Sequence, residues 1–258
     1  MREFGLAPLS ALQCAPDAFV RAAAQAGFDF VGLRVQAVTE TEPQHDLRPG
    51  SPLHQATLRA LEETGLHVKD TEFLCVTEHT TPADWEQALD TAASFGARTF
   101  TVSAGDPEEE RLIDTLGAMA RSAATRGIEV TVEPISYQAV RTIPQAVRVA
   151  RAAGVKVLAD ILHLGRVGAT PEEVASARDL IPMVQLCDAP AQAPATREGL
   201  VEEARGLRLA PGDGDLEIRG ILDALPDIPL SVEAPHPRGA KDPRAWITYL
   251  AQQTKGWR

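Results

Sequence analysis

Short apolar runs alternate along this chain with longer segments whose apolar residues recur every three to four positions. Such short runs are typical of buried strands, and the longer period is typical of amphipathic helices. The pattern predicts eight strands, at residues 4–7, 29–33, 67–74, 98–102, 128–132, 155–159, 182–186 and 228–232. It predicts helices at about 16–26, 52–64, 83–95, 107–126, 139–153, 171–179, 197–205, 216–224 and 242–254.

Local signals at the helix ends support these boundaries. Thr81-Pro82 and Thr170-Pro171 each place a capping threonine before a proline at the first helical position. Five of the helices end at a glycine that directly precedes a strand, at positions 27, 65, 96, 127 and 154. Eight strand–helix units predict a single α/β domain over residues 1–258, a (β/α)8 TIM barrel. An open doubly wound sheet would show the same alternation and stays an alternative.

Composition and charge narrow the classes of function. The formal net charge of −11 over 258 residues argues against nucleic acid or an anionic membrane as a partner. No apolar stretch approaches the roughly 20 residues of a membrane span, and the N-terminal residues do not form a signal peptide. Three widely spaced cysteines, Cys14, Cys75 and Cys187, fit a reduced protein, so we expect a cytoplasmic location.

Polar side chains follow the last four predicted strands, where a parallel barrel keeps its active site. Glu133 ends the fifth strand, Asp160 the sixth and Glu233 the eighth, and Gln185 lies in the seventh. Three carboxylates brought to one mouth would repel each other and raise each other's pKa values. A divalent cation relieves that repulsion, and the Gln185 amide oxygen completes an oxygen-rich set of ligands.

The segments that carry these residues resemble a known family. They are Val132-Glu133-Pro134, Leu158 to His163, Val184 to Ala189, Pro211 to Asp215 and Ser231 to Ala234. Together they resemble the sugar phosphate isomerase/epimerase family, the xylose isomerase-like TIM barrels, over nearly the whole chain. The resemblance implies a metal bound by a Glu, an Asp, a His and a Glu from the last four strands. Carried over, these positions are Glu133, Asp160, 185 and Glu233.

Position 185 departs from the family pattern, because glutamine replaces the more usual histidine. An all-oxygen ligand set favours the hard ions Mn²⁺ or Mg²⁺ over Zn²⁺. Some dehydroshikimate dehydratases are similar to this chain in having glutamine there. That similarity points towards a lyase.

The resemblance also implies a chemistry. A cation can hold the carbonyl and hydroxyl oxygens of a substrate and stabilise the enediolate formed when a neighbouring proton leaves. In the related epimerases the glutamates on the fifth and eighth strands move that proton, so Glu133 and Glu233 are the expected catalytic pair. The leading interpretation is an isomerase or epimerase of a small polyhydroxylated carbonyl compound. The alternative is a dehydratase of a cyclic keto acid such as 3-dehydroshikimate, or of an inosose, because the same enolate can expel water.

Three further residues are expected to contact substrate. His163 matches the substrate-contacting histidine of the family, three residues after the Asp ligand, and can assist the reaction near neutral pH. Arg208, four residues before Gly212, resembles a substrate-binding arginine, with Arg205 as a competing candidate. Asp213 and Asp215 in the adjoining turn would repel phosphate, so an unphosphorylated or carboxylate-bearing substrate is expected.

Other features are interpreted as structural. Arg34 and Glu72, near the ends of the second and third strands, are within reach of a substrate, but each is interpreted as a member of a structural ion pair. A nuclease would need more histidine ligands and a basic groove, which this acidic chain lacks. A catalytically idle barrel acting as a binding protein is disfavoured by the intact set of Glu133, Asp160, His163 and Glu233. A homo-oligomer is compatible with the fold, since barrels of this type often pair.

Overall fold

The computed structural model describes residues 2–39 and 41–257 and shows one parallel sheet curled into a nearly closed barrel. Its strands are β1 Phe4–Leu6, β2 Phe30–Arg34, β3 His67–Val76, β4 Thr99–Ala104, β5 Glu129–Glu133, β6 Lys156–Val157, β7 Ala159–Asp160, β8 Val184–Leu186 and β9 Leu230–Val232. They pair in the order β6-β5-β4-β3-β2-β1-β9-β8-β7, and every pairing is parallel. The predicted α/β TIM-barrel fold is confirmed, and the open-sheet alternative is wrong.

The predicted sixth strand occurs as two short segments, β6 and β7, separated by Leu158 alone. The Leu158 N–H still donates to the Val132 carbonyl on β5, at 3.1 Å. Beyond that point the chain pairs with β8 instead, with Asp160 opposite Gln185. The strand therefore changes partner halfway along, as the stagger of strands in a barrel requires. This exchange joins the two ends of the sheet and places Asp160 at the mouth.

Helices surround the barrel. They are α1 Pro16–Ala26, α2 Pro52–Thr64, α3 Pro82–Ser94, α4 Glu109–Ala124, α5 Ile143–Ala153, α6 Ile161–Val167, α7 Pro171–Ser176, α8 Arg197–Gly206, α9 Ile218–Ala224, α10 Pro237–Lys241 and α11 Pro243–Thr254. The nine predicted helices lie within four residues of the observed boundaries. Two short helices, α6 and α10, were not predicted, because each spans less than two full turns, too few residues to show a helical period. No helix in residues 2–39 and 41–257 is long and apolar enough to cross a membrane.

Inside the barrel, polarity increases towards the mouth. Phe30, Leu158 and Met183 form an apolar cluster separate from the main core. Further along the interior, Thr99 and Thr101 donate to the buried Asp70 carboxylate, at 2.6 and 3.0 Å. Because side chains alternate between the two faces of a strand, the next inward positions lie at the strand ends. The fold therefore gathers polar side chains at the carboxyl ends of the strands.

Candidate active site

A cavity of about 280 Å³ opens at the carboxyl ends of the strands. Of the expected site residues, Glu133, His163, Arg208, Arg205 and Glu233 line it. Asp160 and Gln185 are not among the lining residues and are 0 % and 1 % exposed. The structure thus brings the expected residues to one end of the barrel and places two of them beneath the others.

Glu133 and His163 form one side of the site. The His163 Nε2 atom lies 3.8 Å from Glu133 Oε1, and its Nδ1 atom lies 3.2 Å from the Ser136 hydroxyl. Tyr137 packs edge-on against the imidazole, with ring centroids 5.6 Å apart. Burial lowers the pKa of His163 to about 4, so the ring is neutral at physiological pH. A neutral imidazole can donate a hydrogen bond or offer a lone pair to a cation.

Asp160 caps helix α6 and also contributes a carboxylate to the site. Its Oδ1 atom accepts hydrogen bonds from the N–H groups of Leu162 and His163, at 2.7 and 3.3 Å, and so caps α6. This cap places His163 in the first turn of a helix, rather than on a loop. One ligand atom from each of Glu133, Asp160 and His163 lies within 4.8 Å of the others, a spacing compatible with a shared metal ion.

Arg208 bridges two carboxylates of the site, those of Asp160 and Glu233. Its Nη1 atom lies 2.6 Å from Asp160 Oδ2, and its Nη2 atom lies 3.1 Å from Glu233 Oε2. The side chain is buried, and its Nε–H donates to the Ala204 carbonyl at 2.8 Å. Although burial opposes ionisation, the neighbouring Arg208 holds the pKa of Asp160 below its usual range. The guanidinium therefore sits between two of the expected metal ligands and compensates part of their charge.

Gln185 is turned towards Glu233. Its Nε2 atom donates to Glu233 Oε1 at 2.8 Å, which leaves its buried Oε1 atom without a hydrogen-bond partner in the described chain. Buried polar atoms of this kind are rare and need an explanation. An oxygen of this type, in a carboxylate-rich site, is a suitable ligand for a hard cation.

The charges at the floor of the cavity are unbalanced. Buried carboxylates of Glu72, Glu133, Asp160 and Glu233 face two guanidinium groups, those of Arg34 and Arg208, which leaves two negative charges in excess. Burial raises the pKa of Glu72 to about 7 and that of Glu233 to about 8, and it raises the pKa of Glu133 well above its usual range. Protons held by the glutamates offset this excess negative charge when no metal is bound. A divalent cation would balance the same charge in their place. By donor chemistry and charge, the residues present fit such a cation.

A turn held by Asp188 positions Arg208. The Asp188 carboxylate accepts from the N–H groups of Gly212, Gly214 and Leu216 at 3.0 to 3.1 Å. Leu209 and Asp188 exchange backbone hydrogen bonds, and the Arg208 N–H donates to the Pro235 carbonyl. A Cβ at Gly214 would lie 2.5 Å from the Ala189 carbonyl oxygen, so only glycine fits there. Arg208 is thereby fixed between the ends of β8 and β9, whereas Arg205 lies exposed at the rim beside Tyr137.

Three more residues of the cavity lie on the opposite strands. Arg34 and Glu72 pair with each other, with 3.2 Å between Arg34 Nη2 and Glu72 Oε1, and both line the cavity. Ser103 lines it too and was not singled out in the sequence. A signal for it exists, since Thr99, Thr101 and Ser103 place a hydroxyl at every second position of β4. Inward alternation predicts that the last of these reaches the mouth.

Comparisons with known proteins agree with the fold. A family model described as the xylose isomerase-like TIM barrel matches residues 20–251, so the chain belongs to that family. The resemblance seen in the sequence is thus confirmed. A search of curated proteins finds no match.

Solved structures with the same fold are distant in sequence. A xylose isomerase domain-containing protein from Salmonella typhimurium LT2 is 19 % identical, with a TM-score of 0.82 over 99 % of this chain and 97 % of that one. A probable 3-DHS dehydratase, AsbF from Bacillus anthracis, is 14 % identical, with a TM-score of 0.79 over 97 % of both chains. A fusion of a xylose isomerase-like TIM barrel with a 4-hydroxyphenylpyruvate dioxygenase is 22 % identical, with a TM-score of 0.76 over 99 % of this chain. The chain spans 43 % of that fusion protein's length. These likenesses show the fold.

Proposed function

We propose that the protein is a divalent-metal-dependent isomerase or epimerase of a small, polyhydroxylated carbonyl compound. The observation that carries this proposal is the pair Glu133 and Glu233, two buried carboxylates that line the same cavity and have raised pKa values. Carboxyl groups with raised pKa values hold a proton more readily than exposed glutamates do, so they can both remove and return one. Because Glu133 ends β5 and Glu233 follows β9, the two carboxyl groups can reach a substrate from two directions.

Glu133, Asp160, Gln185 and Glu233 would hold the cation, with Mn²⁺ or Mg²⁺ as the expected ion. When bound, such an ion supplies positive charge next to the oxygens of an enediolate. One of the two glutamates takes the proton from the carbon beside the carbonyl, and the other, or a water, returns one. His163, neutral and held by the Ser136 hydroxyl, hydrogen-bonds a substrate oxygen through Nε2. Arg208 and Arg205 are the proposed substrate-binding arginines.

A second candidate is a dehydratase acting on a cyclic keto acid or an inosose. Glutamine at position 185 and the structural likeness to the probable 3-DHS dehydratase favour it. One observation favours the isomerase or epimerase instead. The guanidinium groups of Arg34 and Arg208, the ones held at the floor of the cavity, are already paired with carboxylates. A substrate carboxylate would therefore depend on the exposed Arg205.

Substrate trials separate the two candidates. The Mn²⁺-loaded protein is incubated with a set of ketohexoses, analysed for C3 epimers and aldose products, and with 3-dehydroshikimate, followed by the absorbance of an aromatic product. Sugar products support the first proposal. Aromatic product without sugar products contradicts it and supports the dehydratase.

The Glu233→Gln variant tests the role of the carboxylate pair. Loss of the proton-transferring carboxylate should lower kcat by about 10²- to 10⁴-fold, and Mn²⁺ retention should fall with it, as measured by metal analysis after gel filtration. Glu203→Gln is the matched control, because Glu203 is also buried but pairs with Arg166 outside the cavity. Wild-type activity in Glu233→Gln would refute the assignment.

A further inference from the structure

Unpartnered polar atoms are concentrated at the mouth of the barrel. The described part of the chain contains five buried side-chain nitrogen or oxygen atoms without a hydrogen-bond partner. One is the Gln185 oxygen discussed above, and three others are Arg34 Nε, Glu72 Oε1 and Ser103 Oγ. These three side chains line the same cavity as the catalytic pair. We call them the β2–β4 wall, since each comes from one of those three strands.

The β2–β4 wall lies across the barrel from Asp160 and Gln185, two of the four expected metal ligands. In the sheet, β2, β3 and β4 are neighbours, and β7, β8 and β9 lie on the other side of the barrel. Arg34 is directly opposite Glu72 in the strand register, and Ser103 is opposite Glu133. The wall therefore begins next to the catalytic pair and extends away from Asp160 and Gln185.

The surrounding protein does not satisfy these atoms. Glu72 Oε1 lies 3.2 Å from Arg34 Nη2, as an ion pair without hydrogen-bond geometry, and Ser103 is 0 % exposed. A buried donor or acceptor left unpaired costs free energy, so proteins seldom keep one without a use. Three such atoms in the lining of one cavity are the pattern expected where a ligand supplies the missing partners.

The atoms also indicate what kind of group binds. Glu72 Oε1 accepts a hydrogen bond, Arg34 Nε donates one, and the Ser103 hydroxyl can do both. Neighbouring hydroxyl groups of a sugar match this mixture, because each is both donor and acceptor. The charge of Arg34 is already compensated by Glu72, at 3.2 Å, and by Glu42, at 3.7 Å. An anionic group would therefore gain little there and would be repelled by both carboxylates.

We infer that Arg34, Glu72 and Ser103 form a second substrate subsite, which binds hydroxyl groups of a neutral polyol on the side of the cavity remote from Asp160 and Gln185. The inference rests on the proposed function and narrows its substrate to an uncharged sugar or cyclitol. The wall sets specificity: a substrate lacking the hydroxyl that meets Ser103, or carrying a carboxylate in its place, binds less well.

Ser103→Ala tests the subsite, since it removes one hydroxyl without changing charge. Binding of D-fructose and of its analogues lacking the hydroxyl at C1, C4, C5 or C6 is measured by calorimetry on the Mn²⁺-loaded protein. We expect Ser103→Ala to weaken binding of D-fructose about tenfold and to leave the Kd of one deoxy analogue unchanged. Ser94→Ala is the control, because the Ser94 hydroxyl is already bonded to Thr91 and His54 and lies outside the cavity.

Glu72→Gln tests the charge argument independently. With the carboxylate gone, the charge of Arg34 is less compensated, so 5-keto-D-gluconate, an acid of similar size, should gain at least fivefold in affinity relative to D-fructose. Equal Kd values for Ser103→Ala and wild type across the whole panel would overturn the subsite, as would an equal loss for every analogue. Ser103-dependent sugar binding without turnover of any ketohexose would refute the proposed function and leave the subsite standing.

Discussion

At the scale of single residues, Arg208 is the side chain that most affects how a metal can bind. Its guanidinium lies 2.6 Å from Asp160 and 3.1 Å from Glu233, both expected ligands. A cation bound to these carboxylates would lie within a few ångströms of a fixed positive charge, and unit charges 4 Å apart interact by about 4 kcal/mol at an effective dielectric constant of 20. Arg208 and the metal ion therefore compete for the same negative charge.

This competition predicts that Arg208→Gln binds Mn²⁺ at least tenfold more tightly than the wild type. The amide keeps much of the side chain's volume and removes its charge, so the carboxylates become free for the cation. The Kd is measured by calorimetry at pH 8. Arg166→Gln serves as the control, since it breaks a comparably buried ion pair, with Glu203, outside the cavity. Weaker Mn²⁺ binding in Arg208→Gln would show instead that the arginine orients the ligands.

The expected site residues came from strand-end positions, and the structure places them at one end of the barrel. Glu133, Asp160 and Glu233 could be recognised because a carboxylate directly after an apolar run is visible in the sequence. Their assignment as ligands stays a prediction. The role of Ser103 could not be recognised in the same way. Its hydroxyl is informative because it is buried and unpartnered, and both properties depend on side chains from strands distant in sequence.

At the scale of elements, the turn between α8 and α9 determines where Arg208 lies. The Asp188 carboxylate accepts four backbone hydrogen bonds, from Ala189, Gly212, Gly214 and Leu216. Hydrogen bonds to a charged group are stronger than those between neutral groups. The sequence predicted a glycine-rich turn here, whereas the carboxylate that organises it lies more than twenty residues earlier and was not assigned a role.

Asp188→Ala is predicted to destabilise the protein by about 1–3 kcal/mol, because the buried Ala189 N–H would lose its acceptor and the half-buried N–H groups of Gly214 and Leu216 would be left to water. Arg208 would lose its fixed position, so kcat should fall as well. Urea unfolding and steady-state kinetics are the measurements. Asp213→Ala is the matched control in the same turn: its carboxylate is exposed and bonds to Tyr249. Its cost should stay below about 1 kcal/mol. Similar unfolding midpoints for the two variants would contradict the role given to Asp188.

Helix and strand boundaries were predictable where the local chemistry marks them. The Thr170 side chain caps α7 in a capping box, and Gly27, Gly65 and Gly154 end their helices in left-handed conformations, as the sequence predicts. The division of the sixth strand was not predictable. It arises because the chain exchanges β5 for β8 as its partner at Leu158, and strand stagger is a property of the closed barrel.

At the scale of the whole molecule, the interior of the barrel contains carboxyl groups whose charged forms would be better solvated in water. Burial raises the pKa of Asp70 and Glu72 to about 7 and that of Glu233 to about 8. The folded protein therefore keeps protons on these groups at a pH where the unfolded chain has released them. The contribution of these three groups to stability is fully present below the ordinary carboxyl pKa, near 4, and is lost as the pH rises through 7 to 8.

Metal binding should reverse this loss. A cation replaces the protons on the carboxylates and stabilises the folded state by RT ln(1 + [L]/Kd), about 2.7 kcal/mol at a hundredfold excess over Kd. For a chain of this size that corresponds to a rise in Tm of roughly 5–10 °C. Because ligands must lose their protons before they bind a metal, the rise should be larger at pH 8 than at pH 6.

The test is a set of thermal unfolding curves at pH 6 and pH 8, recorded with Mn²⁺ and with EDTA. In EDTA the Tm should fall between pH 6 and pH 8, and Mn²⁺ should restore most of the difference. Glu233→Gln is the internal control, since it removes both a ligand and a group with a raised pKa, so its Tm should respond less to pH and to metal. An identical Tm in Mn²⁺ and EDTA at pH 8 would contradict the metal site. A fall in Tm with pH that persists undiminished in Mn²⁺ would place the responsible carboxyl group away from the metal ligands, at Asp70, whose partners are threonine hydroxyls, or at Glu72, which pairs with Arg34.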